Sequence, residues 1–451
     1  ANCSVQLTNT ATVNVEDTPV NPTLASASPA SGSTVCQGST VSATFNAGSG
    51  GTSDEFRYSL DNGSNWNTYT GGNLTAGTQT VIIQGRRVAD VCTDGEWTNL
   101  ATWNVELTPV APVLTKNPNT SSVCDGADVS ATLNTAGSGG NGTPTYEYRT
   151  STDGGTNWSS WQSYTLGNNI STTGLTNVEI RATQNATYCT ATSNTYSWTV
   201  NPLPQITTTA TNQTRCGTGN VTFSAATTSP NSVIDWSSTN TFASYTTGDN
   251  YTVSVTSGNT DTYYYRARNT VTGCVSDYQT VTGTAVPIPT VQTVSGGPFC
   301  AGSNITISLS GSESGITYNV KLGKNTVASA TGTGSALNIN VSNAAAGTYT
   351  VEAINGTCTA TMSGSVTVNP APTANAGVAA TTCGTTPITV NDATASNYAS
   401  LLWTHNGQGT LSDASTLTPT YTPAVADAGN TVTLTLTVNA LGGCSNVQST
   451  K

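Results

Sequence analysis

The sequence predicts an all-β chain of tandem sandwiches, and three observations carry that prediction. The first is composition. The 451 residues include only 8% charged residues, against about 25% in an average globular protein. Polarity comes instead from Thr, Ser, Asn and Gly; Thr is a good strand residue, and no helical stripe of apolar residues is visible. The second is a repeat. STVCQGSTVSATFN, SSVCDGADVSATLN, QTRCGTGNVTFSA, GPFCAGSNITISLS and ATTCGTTPITVND resemble one another, and their cysteines (Cys36, Cys124, Cys216, Cys300, Cys383) recur about every 83–92 residues. The third is punctuation. The Pro-rich stretches DTPVNPTL, LTPVAPVL, NPLPQI, VPIPTV and NPAPTA recur at the same period and mark joints that cannot continue a sheet.

These joints divide the chain into 1–16, the last strand of a preceding unit, followed by 17–107, 108–201, 202–286, 287–370 and 371–451. Each unit of about 80–95 residues holds about seven short strands between Gly/Asn/Ser/Thr turns, the spacing of a β-sandwich. Within a unit the elements come in a fixed order. The cysteine stretch follows the Pro joint and leads into a β-branched strand such as ITISL. An aromatic strand comes next: Trp236 and Trp403 each lie about 20 residues after their unit's first cysteine, on VIDW and LLW, and are expected in the core. Phe56 and Tyr146 take that place in the first two units. A later strand alternates apolar and polar residues, as in GTYTVEAIN (347–355) and TDTYYYRARN (260–269). A second cysteine follows it (Cys92, Cys189, Cys274, Cys358, Cys444), then a final strand ending at the next Pro joint.

This order resembles the immunoglobulin-like repeats of very large secreted adhesins of Bacteroidota. The motifs that carry the resemblance are C-x-G-x-x-V/I-T, a core aromatic, Y-x-V/R-x-A-x-N, a late cysteine and V-x-V-N-P-x-P. They span the chain. The resemblance implies tandem immunoglobulin-like sandwiches forming an elongated rod, export by the type IX system and display at the cell surface. Tyr349 then fits the Tyr near the start of strand F, and the core Trp residues fit strand C.

SLDNGSNW (59–66) and STDGGTNW (151–158) match S-x-D-x-G-x-x-W, which is similar to the Asp-box of sialidase propellers. In a propeller such boxes recur about every 40–50 residues, whereas these lie about 92 apart, once per unit. They are therefore expected as structural hairpins after strand C: Ser59, Asp61, Gly63 and Trp66 in the first, Ser151, Asp153, Gly155 and Trp158 in the second. Asp accepts backbone N–H groups in such a turn and Gly supplies positive φ. The sharper alternative places a glycan-binding platform at Trp158, Trp161 and Tyr164, because aromatic faces can stack on sugar rings.

Catalysis is poorly supplied. The one histidine, His405, lies two residues after Trp403 and is expected at the edge of the core or at the strand end. Carboxylates are scattered, with no pair in a recognisable cleft motif, so a carbohydrate-active enzyme fragment ranks third among the functional readings. No calcium-loop or zinc spacing is present, and no cofactor is expected. Net charge is −11 with 12 basic residues, which disfavours nucleic acid. No apolar run approaches the roughly 18–20 residues of a membrane span. Eleven regularly spaced cysteines point to disulfides and an oxidising, extracellular compartment.

The pairing follows from strand direction. In the fourth unit Leu309 and Val351 take the positions of the usual immunoglobulin disulfide. Cys300 lies up to ~30 Å before the first and Cys358 up to ~23 Å beyond the second. Strands B and F run in the same direction, which places these cysteines at opposite poles, far beyond the ~5.5 Å Cα spacing a disulfide needs. In a head-to-tail string, the A–B turn of one sandwich meets the F–G turn of the next. The expected bonds are Cys36–Cys189, Cys124–Cys274, Cys216–Cys358 and Cys300–Cys444, with partners of Cys3, Cys92 and Cys383 outside the segment. The alternative joins cysteines of one unit, such as Cys300 with Cys358. At the ends, ANCSVQLTNTATVNVE matches CTDGEWTNLATWNVE and reads as a lone final strand, while the last unit reaches CSNVQSTK short of a full one. A window cut from a longer array explains both ends; exchange of residues 4–15 between chains is the alternative, since an open sheet edge templates pairing. The function these features imply is non-catalytic: a disulfide-stiffened stalk or filament of a secreted surface adhesin, whose partners are neighbouring repeats, surface glycans or other cells.

Overall fold

A computed structural model describes residues 12–451. The described residues form β-strands with one short 3-10 turn, Val425–Asp427. It divides into two compact units: residues up to Pro204 together with Arg268–Val275, and Gln205–Ala267 together with Ser276–Lys451. Cys3 and the expected strand pairing of residues 1–11 lie outside the described residues.

The first unit holds two sandwiches of one design. In the first, strands A (Thr23–Ser28), B (Thr40–Asn46) and E (Leu74–Thr75) form one sheet, in the order A-B-E. The facing sheet runs A′-G-F-C-C′, with A′ Thr34–Cys36, G Thr98–Glu106, F Val81–Val88, C Ser53–Ser59 and C′ Asn67–Thr68. The second repeats this order with A Val113–Asn117, A′ Ser122–Cys124, B Asp128–Thr135, C Thr145–Ser151, C′ Gln162–Ser163, E Ile170–Ser171, F Asn177–Gln184 and G Thr192–Asn201. Antiparallel B, C, F and G with A switching sheets as A′ is immunoglobulin-like topology.

The second unit holds the third to fifth sandwiches. The third pairs A′ Gln213–Cys216, G Gln279–Val286, F Thr260–Asn269, C Ser232–Ser237 and C′ Thr246–Thr247 in one sheet, and B Gly219–Ser224 with E Asn250–Val255 in the other. The fourth has A′ Phe299–Cys300, G Val366–Asn369, F Gly347–Asn355, C Thr317–Leu322 and C′ Asn325–Thr331, facing A Val294–Ser295, B Ile305–Leu309 and E Leu337–Val341. In the fifth, C (Tyr398–His405), F (Leu434–Ala440) and G (Val447–Thr450) form a three-stranded sheet that lacks an A′ strand.

Among the described residues each sandwich has its own apolar core. Alternation does the sorting: in F of the fourth sandwich, Tyr349, Val351 and Ala353 point inward between more exposed neighbours. The Tyr349 hydroxyl donates to the Ala345 carbonyl at 2.8 Å, the backbone tie of a tyrosine corner. Trp236 and Trp403 lie on strand C and are buried, their indole N–H groups donating to Gly248 and Thr416 carbonyls at 2.7 and 3.0 Å. The first two sandwiches differ. Phe56 and Tyr146 pack only at the core's edge, and the fully buried indoles are Trp103 and Trp198, from strand G. Each donates to the carbonyl of a proline after strand A, Pro29 at 2.8 Å and Pro118 at 3.0 Å. A core needs one large aromatic in its middle, and either sheet strand facing that space can supply it.

Candidate functional site: the joints between repeats

The joints concentrate the unusual chemistry of this chain. Strand A′ runs parallel to strand G, and in four sandwiches its cysteine lies on the last rung: Cys36 opposite Glu106, Cys124 opposite Asn201, Cys216 opposite Val286 and Cys300 opposite Asn369. The cysteine is thereby held beside the linker to the next sandwich. It meets the F–G turn of that sandwich there. Cys36 is bonded to Cys189, Cys124 to Cys274, Cys216 to Cys358 and Cys300 to Cys444, with Cα–Cα distances of 4.9, 5.6, 5.5 and 4.7 Å. The first two bonds lie within the first unit, which includes the loop carrying Cys274; the other two lie within the second. Cys92 is half-buried and Cys383 exposed, both unpaired.

A carboxylate secures the joint after the first sandwich. Glu106, 5% exposed, accepts the backbone N–H groups of Thr187, Tyr188 and Cys189 at 3.0, 2.6 and 2.7 Å. Burial pushes this carboxyl up, but the N–H groups of Thr187, Cys189 and Tyr188 together hold it below the ordinary glutamate value. Glu16 repeats the arrangement, accepting from Asp90, Val91 and Cys92 at 2.9, 2.6 and 2.8 Å, with the Asp90 N–H the largest influence holding its carboxyl low. The shared signal is NVE before the Pro joint, at 14–16 and 104–106, and nothing in that stretch alone shows that its glutamate reaches a distant turn.

The linker itself is clasped. Val110 and Ser138 exchange two backbone hydrogen bonds, at 2.7 and 3.1 Å, and Val20 and Ser49 do the same in the preceding joint. Gly139 has φ +66°, and a Cβ there would lie 2.1 Å from the Thr108 carbonyl oxygen, so only glycine lets the loop close on the linker. From the other side Thr192 and Asn194 donate to the carbonyls of Pro109 and Pro112 at 3.0 and 3.1 Å. In the second unit Asn355 donates to the Pro287 carbonyl at 2.9 Å and Asn369 to that of Gly442 at 2.8 Å.

The two S-x-D-x-G-x-x-W stretches form matching hairpins. Ser59 Oγ donates to Asp61 at 2.7 Å and accepts the Gly63 N–H at 2.8 Å; Ser151 does the same for Asp153 and Gly155 at 2.8 and 3.0 Å. Asp61 also takes the side-chain and backbone N–H groups of Asn65 at 2.6 and 2.8 Å, and the Asn65 side chain is the main cause that lowers its pKa to about 2. Asp153 is held low in the same way, chiefly by the Asn157 backbone N–H. Trp66 and Trp158 fold back over Gly63 and Gly155. Each stacks on an arginine that a second indole covers: Arg57 between Trp66 and Trp97 at 4.3 and 4.1 Å, Arg149 between Trp158 and Trp161, both at 4.5 Å. Tyr164 does not join this surface. It is 6% exposed, its hydroxyl accepting the Ala131 N–H at 2.9 Å and donating to the Asn168 carbonyl at 2.8 Å. The Trp158, Trp161 and Tyr164 platform is thus divided between a cation stack and the core.

His405 ends strand C of the fifth sandwich, its ring 5.0 Å from that of Tyr421 and its Nδ1 without a hydrogen-bond partner. Nearby Asp427 accepts from the Tyr421 hydroxyl and from the N–H groups of Ala424 and Gln408, at 2.7, 2.8 and 2.8 Å. These donors hold its carboxyl low, Gln408 first, and give it a structural task. Among the described residues no three His, Cys, Asp or Glu side chains group as metal ligands would, and no helix is long and apolar enough to cross a membrane.

No family model and no curated protein matches this chain. Solved structures similar to it include Sidekick-1 immunoglobulin domains 1–5 (10% identity, 96% of this chain and 98% of that one, TM-score 0.25). An I-band fragment of titin matches at 13% identity over 55% of this chain and 96% of that one, TM-score 0.30. A Ca²⁺-stabilized adhesin that helps an Antarctic bacterium bind ice matches at 13% identity over 74% and 94%, TM-score 0.24. The assignment of the fold rests on the strand topology above.

Proposed function

We propose that this chain is a non-catalytic stalk or filament segment of a secreted cell-surface adhesin, in which residues 17–107, 108–201, 202–286, 287–370 and 371–451 act as spacer repeats. One observation carries the reading: the cysteine on the last A′ rung is bonded to the F–G turn of the following repeat at four successive joints. Linked domains ordinarily move relative to one another unless a large interface holds them. A covalent bond beside a clasped linker removes much of that freedom without a ligand or a metal. Such bonds persist in oxidising surroundings, which suits an extracellular location. The sparse charge and abundant Thr and Ser keep these sheets soluble there. Export by the type IX system in Bacteroidota belongs to the proposal through the repeat motifs alone.

The test compares oxidised chain with chain in which the four bonds are reduced, using dyes placed on adjacent repeats and single-molecule energy transfer. Reduction is expected to broaden the distance distribution at every bonded joint while near-ultraviolet dichroism of the cores persists. Equal distributions before and after reduction would show that the bonds do not stiffen the joints, and the stalk reading would lose its support.

A further inference from the structure

The second sandwich opens a cleft between its two sheets. Strand C′ ends one sheet and strand E ends the other, and between these edges lies a cavity of about 490 Å³. That volume is within the roughly 300–1,000 Å³ of small-molecule sites. Tyr148 and Thr150 on strand C, Ser163 on C′, Thr165 and Asn168 in the connection, and Ile170 on E line it.

The first sandwich shows why the cleft is there. The two hairpin motifs start at Ser59 and Ser151, so Tyr58 and Thr150 hold the same place on strand C. Tyr58 packs on the first core, its ring edge-on to that of Tyr69 at 6.3 Å. In the second sandwich Tyr148 makes the matching contact with Tyr164, also at 6.3 Å, from two residues earlier on the same face. Thr150 therefore leaves open the space that a tyrosine ring fills in the first repeat. Asn168 likewise stands where the first repeat has Gly72: their carbonyls accept the Tyr164 and Tyr69 hydroxyls, both at 2.8 Å.

The lining is polar and carries no charged residue. Among the described residues, the hydroxyls of Thr150, Ser163 and Thr165 and the side-chain amide of Asn168 have no hydrogen-bond partner within the chain. The Tyr148 hydroxyl donates to Gln162 Oε1 at 2.8 Å, which leaves the Gln162 N–H groups to donate and the tyrosine oxygen to accept. Asp128 stands beside the cleft, bonded to the Asn169 side chain at 3.1 Å, and disfavours an anion. Strand C′ offers an added peptide strand no more than Gln162–Ser163. Free hydroxyl and amide groups beside an aromatic ring suit a ligand that is itself uncharged and rich in hydroxyls.

We propose that this cleft binds a neutral saccharide, with Asn168 and Gln162 on its hydroxyls and the Tyr148 ring against its C–H groups. The site adds a lateral contact to the second repeat. It does not rest on the stalk reading, and the energy-transfer test at the bonded joints is independent of it.

The experiment is saturation-transfer NMR on the full chain with its disulfides intact. The probes are millimolar maltose, cellobiose, lactose and methyl mannoside, with glucuronate and a Thr/Ser-rich peptide beside them. Transfer is expected to at least one neutral sugar and not to glucuronate or the peptide. Thr150→Tyr restores the residue of the first sandwich and should abolish the transfer. Asn168→Gly, the other residue of the first repeat, removes one hydrogen-bonding side chain and should weaken binding roughly fivefold. Unchanged melting of either variant separates these losses from misfolding. Silence from all four neutral sugars, equal transfer to glucuronate, binding of the peptide in place of a sugar, or full transfer in both variants would each overturn the proposal.

Discussion

The disulfide connectivity makes a quantitative prediction about the unfolded chain under tension. Suppose force is applied through handles just outside Cys36 and Cys444 until every sandwich has unfolded. The taut path crosses from Cys36 to Cys189, runs to Cys216, crosses to Cys358, returns along the chain to Cys300 and crosses to Cys444. It contains about 27 residues between Cys189 and Cys216 and about 58 between Cys300 and Cys358, an extension of about 300 Å at ~3.3–3.6 Å per residue. With all bonds reduced the path is the whole chain from Cys36 to Cys444, about 1,400 Å. Pairing inside each repeat would leave about 110 residues free, or about 370 Å. Optical-trap extension curves in the absence and presence of a reductant separate the three values. The Cys124–Cys274 bond is off the taut path, so the double variant Cys124→Ser/Cys274→Ser should still stop near 300 Å. An oxidised limit of about 370 Å, or one unaffected by reductant, would falsify the joint-spanning connectivity.

Three further outcomes follow from the same structure. Glu106→Gln keeps one acceptor oxygen and removes the charge, so hydrogen exchange at Thr187, Tyr188 and Cys189 should quicken while the Trp198 core amides are unaffected; unchanged exchange in that turn would remove the carboxylate's role. Glu16, Glu106, Asp61, Asp153 and Asp427 all have folded-state pKa values below their unfolded ones. Their stabilisation is therefore full above the ordinary carboxylate range and lost as pH falls through the folded values, for Asp61 down to about 2. Melting temperature should fall between about pH 4 and pH 2, and a flat or rising profile there would contradict this assignment. Trp198→Ala removes the largest fully buried side chain of the second core and should cost that sandwich about 3–5 kcal/mol in denaturant titration, leaving the transitions of the other cores in place.

The composition, the Pro joints and the alternation of strands such as GTYTVEAIN were enough to determine an all-β chain of repeated sandwiches. Each of these acts locally: alternation is a property of neighbouring residues, and a proline stops a sheet wherever it stands. The hydrogen bonds within SLDNGSNW are local in the same way, since its serine, aspartate, glycine and tryptophan lie within eight residues. Strand direction was also enough to argue that Cys300 and Cys358 lie at opposite poles. What required tertiary structure was every choice among non-local partners. The indole that fills the first two cores comes from strand G, although Phe56 and Tyr146 stand at the aromatic position of strand C. Tyr164 looks like part of a surface cluster with Trp158 and Trp161, yet the pleat turns it into the core, while the two indoles close on Arg149. Glu106 is one acidic residue among 23 until a turn some eighty residues later brings three N–H groups to it. Sequence determines which residues alternate and where strands stop; packing across the sandwich and across the joint decides which of them meet, because those energies depend on distances that no single stretch of chain contains.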